Sequence, residues 1–241
     1  DKLTMKDWQQ IPGLYIKSDG ERIIFTGHRP ALNKEEFSQI VLNLDFKNIP
    51  YPLYWQSLEG RHDGYLTPKQ RQEIHTIRIY TTNYCPYECA FCSATHFRSF
   101  VEGKKAKVVS LEAREVVAVL KKAIQHHPFT ETVFFSDDDF VLDTHRSEEI
   151  CEEIIRAKKE GSLPQELSFI ANTRLNNLTA EVISLMEAAG WRIILCVVES
   201  FSPKLLQEYN KKFDLDMVHE NINLLLQSSI SPYLTVILFS P

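Results

Sequence analysis

Three cysteines lie close together on one short segment of the chain. Cys85, Cys89 and Cys92 have the spacing C-x3-C-x2-C, and they follow a β-branched run that predicts a strand over residues 77–82. Three thiolates on one loop can ligate three irons of a [4Fe-4S] cluster, which leaves the fourth iron without a protein ligand. The spacing therefore indicates a cluster with an open iron, and an open iron can bind a further molecule.

Zinc is the main alternative ligand for these cysteines. Structural zinc sites use four protein ligands, and the nearest candidate for a fourth is His96, four residues after Cys92. A zinc-stabilised binding module without catalysis is therefore a second hypothesis. The odd total of five cysteines argues against a disulfide framework. Cys151 and Cys196 lie in a predicted helix and a predicted strand, and we expect both to pack in the core.

The composition is that of a globular protein with one large core. The chain has 241 residues, of which 44% are hydrophobic and 24% charged. Its longest apolar runs are strand-sized, well short of the ~20 residues that a membrane helix needs, so we expect a cytoplasmic protein without a membrane partner. A net charge of −5 with no long basic stripe argues against binding to a nucleic-acid polymer.

Strand-like and helix-like segments alternate from about residue 76 onward. This pattern predicts an α/β architecture with parallel strands. The predicted strands are 77–82, 132–136, 167–171, 193–198 and 233–239. Helices are expected at 147–159, 179–189 and 216–227, with Ser110 and Ser202 as N-caps of two others.

The cysteine spacing at the end of a first strand, with Phe91 directly before the third cysteine, resembles the radical S-adenosylmethionine (SAM) superfamily. The resemblance implies an open partial (β/α)6 barrel, so the chain would be truncated after its fifth strand. It also implies that SAM binds the open iron and is cleaved reductively to a 5′-deoxyadenosyl radical. That radical would attack a small-molecule substrate, and a protein such as flavodoxin or ferredoxin would supply the electron.

The resemblance further implies a SAM site at the C-terminal ends of the strands. The segment Ser136 to Phe140 carries three aspartates where many members have a glycine-rich segment, and an aspartate there could bind the SAM amino group. An arginine after the third strand could pair with the SAM carboxylate. The residues predicted to bind SAM are Phe91, Asp137, Asp138, Asn172, Arg174, Glu199 and Ser200. Which aspartate of residues 137–139 faces SAM is left open.

Residues 1–66 are punctuated by prolines and resemble the linker of cobalamin-binding radical SAM proteins. The resemblance rests on Ile11-Pro12-Gly13-Leu14, on a hairpin expected around Asp19-Gly20, and on the segment Ile49 to Pro52. It implies a linker at 1–66 after a cobalamin-binding domain, and a radical SAM domain at 67–241.

Cobalamin is accordingly an expected cofactor, and natural-product biosynthesis by methylation or rearrangement an expected role. The rearrangement suggested by the resemblance is contraction of the ribose ring of 2′-deoxyadenosine phosphates. A cobalamin-independent radical SAM enzyme is the alternative within the superfamily. A methylthiotransferase would need a second cysteine triplet, and the sequence has none.

Overall fold

The computed structural model of the chain describes residues 3–17, 22–62, 73–101 and 107–239. The strands are β1 Tyr15–Lys17, β2 Ile23–Phe25, β3 Thr76–Ile79, β4 Thr132–Phe135, β5 Ser168–Thr173, β6 Trp191–Glu199 and β7 Ser231–Val236. The helices are α1 Met5–Gln10, α2 Lys34–Leu42, α3 Tyr51–His62, α4 Ser93–Val101, α5 Ala113–His126, α6 Thr144–Lys159, α7 Ala180–Ala189, α8 Pro203–Glu208 and α9 Leu215–Gln227. Short 3-10 helices cover Phe46–Asn48 and Leu175–Asn177.

Five strands form one parallel sheet in the order β3-β4-β5-β6-β7. The spatial order of the strands is their order along the chain, as repeated right-handed crossovers produce. This arrangement confirms the predicted α/β class and its open barrel of parallel strands. All five strands point the same way, so their C-terminal ends meet at one edge, and the loops that follow them lie close together.

Helices cover the outer face of this sheet and bury its apolar side chains. The outward-facing Ile77, Val133 and Phe135 are fully buried, as are Leu120 of α5 and Ile154 of α6. The predicted core cysteines, Cys151 and Cys196, are also fully buried.

Residues that precede the barrel cover the inner face of the sheet at its lower end, near the N-terminal ends of the strands. Trp55 of α3 is buried and donates its indole N–H to the carbonyl oxygen of Thr76 at 3.1 Å. Phe46 is buried as well, and its carbonyl oxygen lies 2.8 Å from His127 Nε2. The region before the barrel therefore shares the barrel's hydrophobic core. The boundary predicted at residue 66 falls outside the described residues.

Several element boundaries correct the sequence predictions. Ser110 is not an N-cap: it forms a β-bridge with Thr82, and α5 begins at Ala113 after the N-cap Glu112. β3 ends at Ile79, earlier than predicted, and the N–H groups of Thr81 and Thr82 bond to the Asp137 side chain rather than to a neighbouring strand.

Other local predictions agree with the structure. The hydroxyl of Ser202 accepts the N–H of Leu205 at the start of α8, as predicted. Strands β1 and β2 form an antiparallel pair, and Asp19 and Gly20, around which the hairpin was expected, lie outside the described residues. Among the helices of the described residues, none combines the length and apolar character needed to cross a bilayer.

We predict that Gly190→Ala destabilises the protein more than Gly161→Ala. Both glycines have positive φ, +106° and +71°, so an alanine strains either position by about 1–2 kcal/mol. At Gly190 a Cβ would also lie 2.6 Å from Lys158 Nζ, which donates to the carbonyl oxygen of Leu167. At Gly161 it would meet nothing within 4 Å. Urea unfolding should show a further loss of about 1 kcal/mol for Gly190→Ala; equal losses would contradict the role given to Lys158.

Candidate SAM and cluster site

The three cysteines lie on the loop between β3 and α4. Cys89 is buried, and Cys85 and Cys92 are half-buried. The N–H of Cys92 donates to the carbonyl oxygen of Cys89 at 3.0 Å, which closes a turn. Helix α4 holds the start of the loop, because Arg98 Nη1 donates to the carbonyl oxygen of Cys85 at 2.9 Å. The loop thus presents three thiols from a braced backbone.

Arg174, at the end of β5, places a buried positive charge beside this loop. Its side chain is 3% exposed, and Nη1 lies 3.7 Å from the Sγ of Cys89. The guanidinium lies over the ring of Tyr87 at 3.8 Å and near the ring of Phe213 at 4.6 Å. Nη2 donates to the carbonyl oxygen of Lys212 at 3.1 Å. These contacts fix a buried cation beside the sulfur of Cys89.

A cavity of about 220 Å³ lies between the cysteine loop and the ends of β4, β5 and β6. Its walls contain the cysteines, two apolar side chains, two cations, two carboxylates and one amide. The lining residues are Cys85, Cys89, Phe91, Cys92, Asp138, Asn172, Arg174, Val197, Glu199 and Lys211. All the residues predicted for the site therefore come together here except Asp137 and Ser200.

Asp137 serves the junction of β3 and β4 rather than the cavity. It is 1% exposed, and its Oδ1 accepts the N–H groups of Thr81 at 2.6 Å and Thr82 at 2.8 Å. Burial raises the pKa of Asp137, while these donors and the charge of Arg146 act in the opposite direction. Arg146 also donates to the hydroxyl of Thr81 at 2.7 Å.

Asp139 makes the equivalent connection on the other side, to β5. It is 2% exposed, and its Oδ1 accepts the hydroxyl of Thr173 at 2.8 Å and the N–H of Arg174 at 3.1 Å. Burial raises the pKa of Asp139 as well. Asp138, between these two, is the exposed member and lines the cavity. The structure therefore selects Asp138 from the three as the aspartate facing the site.

The sequence analysis missed Lys211, a buried cation in the cavity wall. Its Nζ lies 3.6 Å from Oε1 of Glu199, and the two side chains are 3% and 14% exposed. Glu199 has a left-handed backbone (φ 69°) where the pairing of β6 with β7 shifts register. No sequence pattern marks Lys211, since it is followed by Lys212 and the pair resembles a solvated surface. Ser200 lies elsewhere: its hydroxyl accepts the N–H of Ser202 at 3.1 Å.

A structural zinc site and a multi-iron cluster differ in how their cysteine ligands are arranged. Across the described ranges, no three His, Cys, Asp or Glu side chains are grouped as ligands of one metal ion. Zinc needs all its ligands on one ion, whereas the cysteines of a cluster each bind a different iron. His96 is exposed on α4 and does not line the cavity. Burial, reinforced by the charges of Asp138 and Asp139, raises the pKa of Cys85 to about 11. Binding of a metal to this thiol must therefore release its proton.

Comparison with known proteins identifies the family. Residues 79–241 match the Radical SAM superfamily, and the chain belongs to it. A [4Fe-4S] cluster and SAM, the cofactors expected from the cysteine loop, agree with this membership.

Two named relatives and two solved structures extend the comparison. The chain is 26% identical over 222 residues to an uncharacterized methyltransferase, PH0819, of Pyrococcus horikoshii, covering 87% of this chain and 45% of that protein. It is 26% identical over 173 residues to cytidylyl-2-hydroxyethylphosphonate methyltransferase of Streptomyces wedmorensis, covering 70% and 29%. The chain thus spans less than half the length of either relative.

The fold resembles that of OxsB, a cobalamin-dependent SAM radical enzyme, with a TM-score of 0.64 and 17% identity, covering 97% of this chain and 31% of that one. It also resembles the radical SAM methyltransferase TsrM from Kitasatospora setae, with a TM-score of 0.56 and 18% identity, covering 66% and 30%.

We predict that two neighbouring substitutions differ in their effect on stability. Asp137→Asn should lower the free energy of unfolding by about 1–3 kcal/mol, because the amide nitrogen that replaces Oδ2 cannot accept the hydroxyl of Thr81. Asp138→Asn should change it by less than about 0.5 kcal/mol, because Asp138 is exposed to the cavity. Urea unfolding under anaerobic conditions measures both. A larger loss for Asp138→Asn would contradict the assignment of the two aspartates.

Proposed function

We propose that this chain is the core of a cobalamin-dependent radical SAM enzyme whose [4Fe-4S] cluster is held by Cys85, Cys89 and Cys92. The observation that carries the proposal is the single cavity that these cysteines share with Asp138 and Arg174. When bound, the cluster supplies the electron that cleaves SAM into methionine and a 5′-deoxyadenosyl radical. The residues of the chain bind, orient and shield the reactants.

The cavity provides opposite charges for the amino-acid end of SAM. The carboxylate of Asp138 can accept hydrogen bonds from an ammonium group, and the guanidinium of Arg174 can donate to a carboxylate. Phe91 is an exposed aromatic side chain in the same wall and suits the adenine ring. Glu199 and Asn172 are polar groups within the same cavity and suit the ribose or the methionine part. Asp137 and Asp139 act as positioning residues that hold the strand ends beneath these groups.

Ser200 remains a predicted SAM ligand, with a minor contribution to binding. Its neighbour Glu199 lines the cavity, but Ser200 itself is outside the wall and its hydroxyl already accepts the N–H of Ser202. A serine that accepts one bond can still donate its own proton to a ligand. Its contribution should therefore be smaller than that of Glu199.

The cobalamin part of the proposal is supported by the similarity to OxsB. That structure contains aqua-cobalamin and SAM, and the similarity covers 97% of this chain, including the region before the barrel. We assign no residue of this chain to cobalamin. The expected setting is a cytoplasmic pathway of natural-product biosynthesis, with flavodoxin or ferredoxin as electron donor.

Methyl transfer to a small molecule is the reaction we place first. Both named relatives are methyltransferases, and the acceptor in the name of one is a cytidylyl nucleotide. Ring contraction of 2′-deoxyadenosine phosphates, the rearrangement suggested by the sequence resemblance, is the second candidate. The cytidylyl group in that relative's name and the deoxyadenosine phosphates of the second candidate both favour a nucleotide as the substrate.

Cofactor content and SAM cleavage test the enzyme class. The full-length protein, purified without oxygen, should bind about four irons with sulfide and cobalamin, and dithionite with SAM should yield 5′-deoxyadenosine. Cys89→Ala should lose SAM cleavage while staying folded, because strands and helices form the core. Cys151→Ala, at a buried cysteine within α6, is the matched control and should keep both cluster and cleavage. Zinc without iron would refute the proposal, and iron without cobalamin would restrict it to cobalamin-independent enzymes.

Methyl-labelled SAM distinguishes the two candidate reactions. The reduced enzyme is incubated separately with cytidylyl-2-hydroxyethylphosphonate and with 2′-deoxyadenosine phosphates, and the products are analysed by mass spectrometry. Methyl transfer predicts a labelled phosphonate nucleotide. Ring contraction predicts an altered, unlabelled sugar, and an intact deoxyribose after SAM cleavage would exclude it.

A further inference from the structure

The turn between α8 and α9 is joined to the middle of the cysteine loop by three contacts. The carbonyl oxygen of Tyr209 accepts the N–H of Ala90 at 2.8 Å. The side-chain amide of Asn210 donates from Nδ2 to the carbonyl oxygen of Glu88 at 2.7 Å. The rings of Tyr209 and Phe91 meet edge to face at 5.4 Å. Residues 88–91, which contain one cysteine and directly precede another, are therefore held from outside the loop.

Asn210 has a left-handed backbone (φ 51°), which asparagine tolerates better than most residues. The N–H of the following residue, Lys211, donates to the carbonyl oxygen of Leu206 at 2.9 Å and closes the turn. This geometry directs the Lys211 side chain into the cavity wall, where it is almost fully buried. The same turn thus supports the cysteine loop and delivers a cation to the site.

Lys211 meets a carboxylate and two aromatic rings inside the site. Its Nζ lies 3.6 Å from Glu199 Oε1, 4.8 Å from the ring centroid of Phe213 and 5.8 Å from that of Phe91. A buried ammonium group needs an opposite charge to offset its desolvation. Because both side chains are shielded from solvent, the ammonium restricts where the Glu199 carboxylate can point.

We propose that Asn210 and Lys211 are positioning residues of the SAM and cluster site. Asn210 holds the backbone of the cysteine loop, and Lys211 orients the carboxylate of Glu199. One turn thereby couples the cluster ligands to a residue assigned to SAM. The inference rests on the proposed function for the identity of the ligands and on the observed contacts for the coupling.

Hydrogen–deuterium exchange tests whether Asn210 holds the backbone of the cysteine loop. The measurement uses the full chain as purified, with or without iron. Asn210→Gly keeps the positive φ accessible and removes the donor to Glu88. Peptides covering residues 84–92, which contain the Ala90 N–H, should exchange several-fold faster than in the wild type. Lys212→Gln is the matched control: its side chain is exposed and it should exchange at the wild-type rate. If these peptides exchanged at the wild-type rate in Asn210→Gly, the role given to Asn210 would be wrong.

The KM and the dissociation constant of SAM test whether Lys211 orients the carboxylate of Glu199. Lys211→Met should raise both by about tenfold or more, with a smaller effect on kcat, and Lys211→Arg should restore much of the loss. In a Glu199→Gln background, Lys211→Met should add little, because the two residues act as a pair. An equal effect in both backgrounds would show that Lys211 acts independently of Glu199.

The two experiments separate failure of this inference from failure of the proposed function. A wild-type protein that binds no cluster and cleaves no SAM would refute the function, while the exchange comparison would still decide whether Asn210 holds the loop. An active wild type with unchanged exchange in Asn210→Gly and an unchanged SAM affinity in Lys211→Met would refute the inference alone.

Discussion

Two buried carboxylates at the end of β4 hold the neighbouring strand ends in place. Asp137 binds backbone N–H groups beyond β3, and Asp139 binds the backbone N–H of Arg174 beyond β5. Burying a carboxylate without hydrogen bonds carries a large desolvation cost. The arrangement in which both aspartates keep these bonds is therefore strongly favoured over one in which the bonds are broken. Asp138 lies at a bend between these two anchored carboxylates, and it lines the cavity while its two neighbours face the protein. The start of the cysteine loop and the position of Arg174 both depend on this arrangement.

The site also depends on cations brought from two different elements. Arg174 comes from the end of β5 and lies beside Cys89, while Lys211 comes from the turn after α8 and pairs with Glu199. Both are buried, where electrostatic interactions are stronger than in water. Two carboxylates and three thiols in one small cavity would repel one another on ionisation. The two cations offset this repulsion and allow an anionic ligand set to form.

The sequence predicts the strands and most of the site because both follow from short-range patterns. Cysteine spacing is local, and polar residues at the ends of parallel strands converge wherever the sheet forms. Long-range contacts escape such patterns: Asn210 meets Glu88 across 122 residues. The choice of Asp138 depends on the phase of the side chains after β4, which consecutive aspartates conceal. Ser110 has good capping chemistry, but its bridge to Thr82 prevails.

The interior of the barrel changes from apolar to polar along single strands, and this confines the chemistry to one edge. On β5 the inward-facing residues are Ile170 and then Asn172, and on β6 they are Leu195, Val197 and finally Glu199. Each step of two residues moves about 7 Å along a strand. The lower residues line a cavity of about 460 Å³ closed by aromatic side chains of α3, including Trp55. The cysteines and the charged residues proposed to bind SAM line the upper cavity, whereas the side chains of α3 line the lower one.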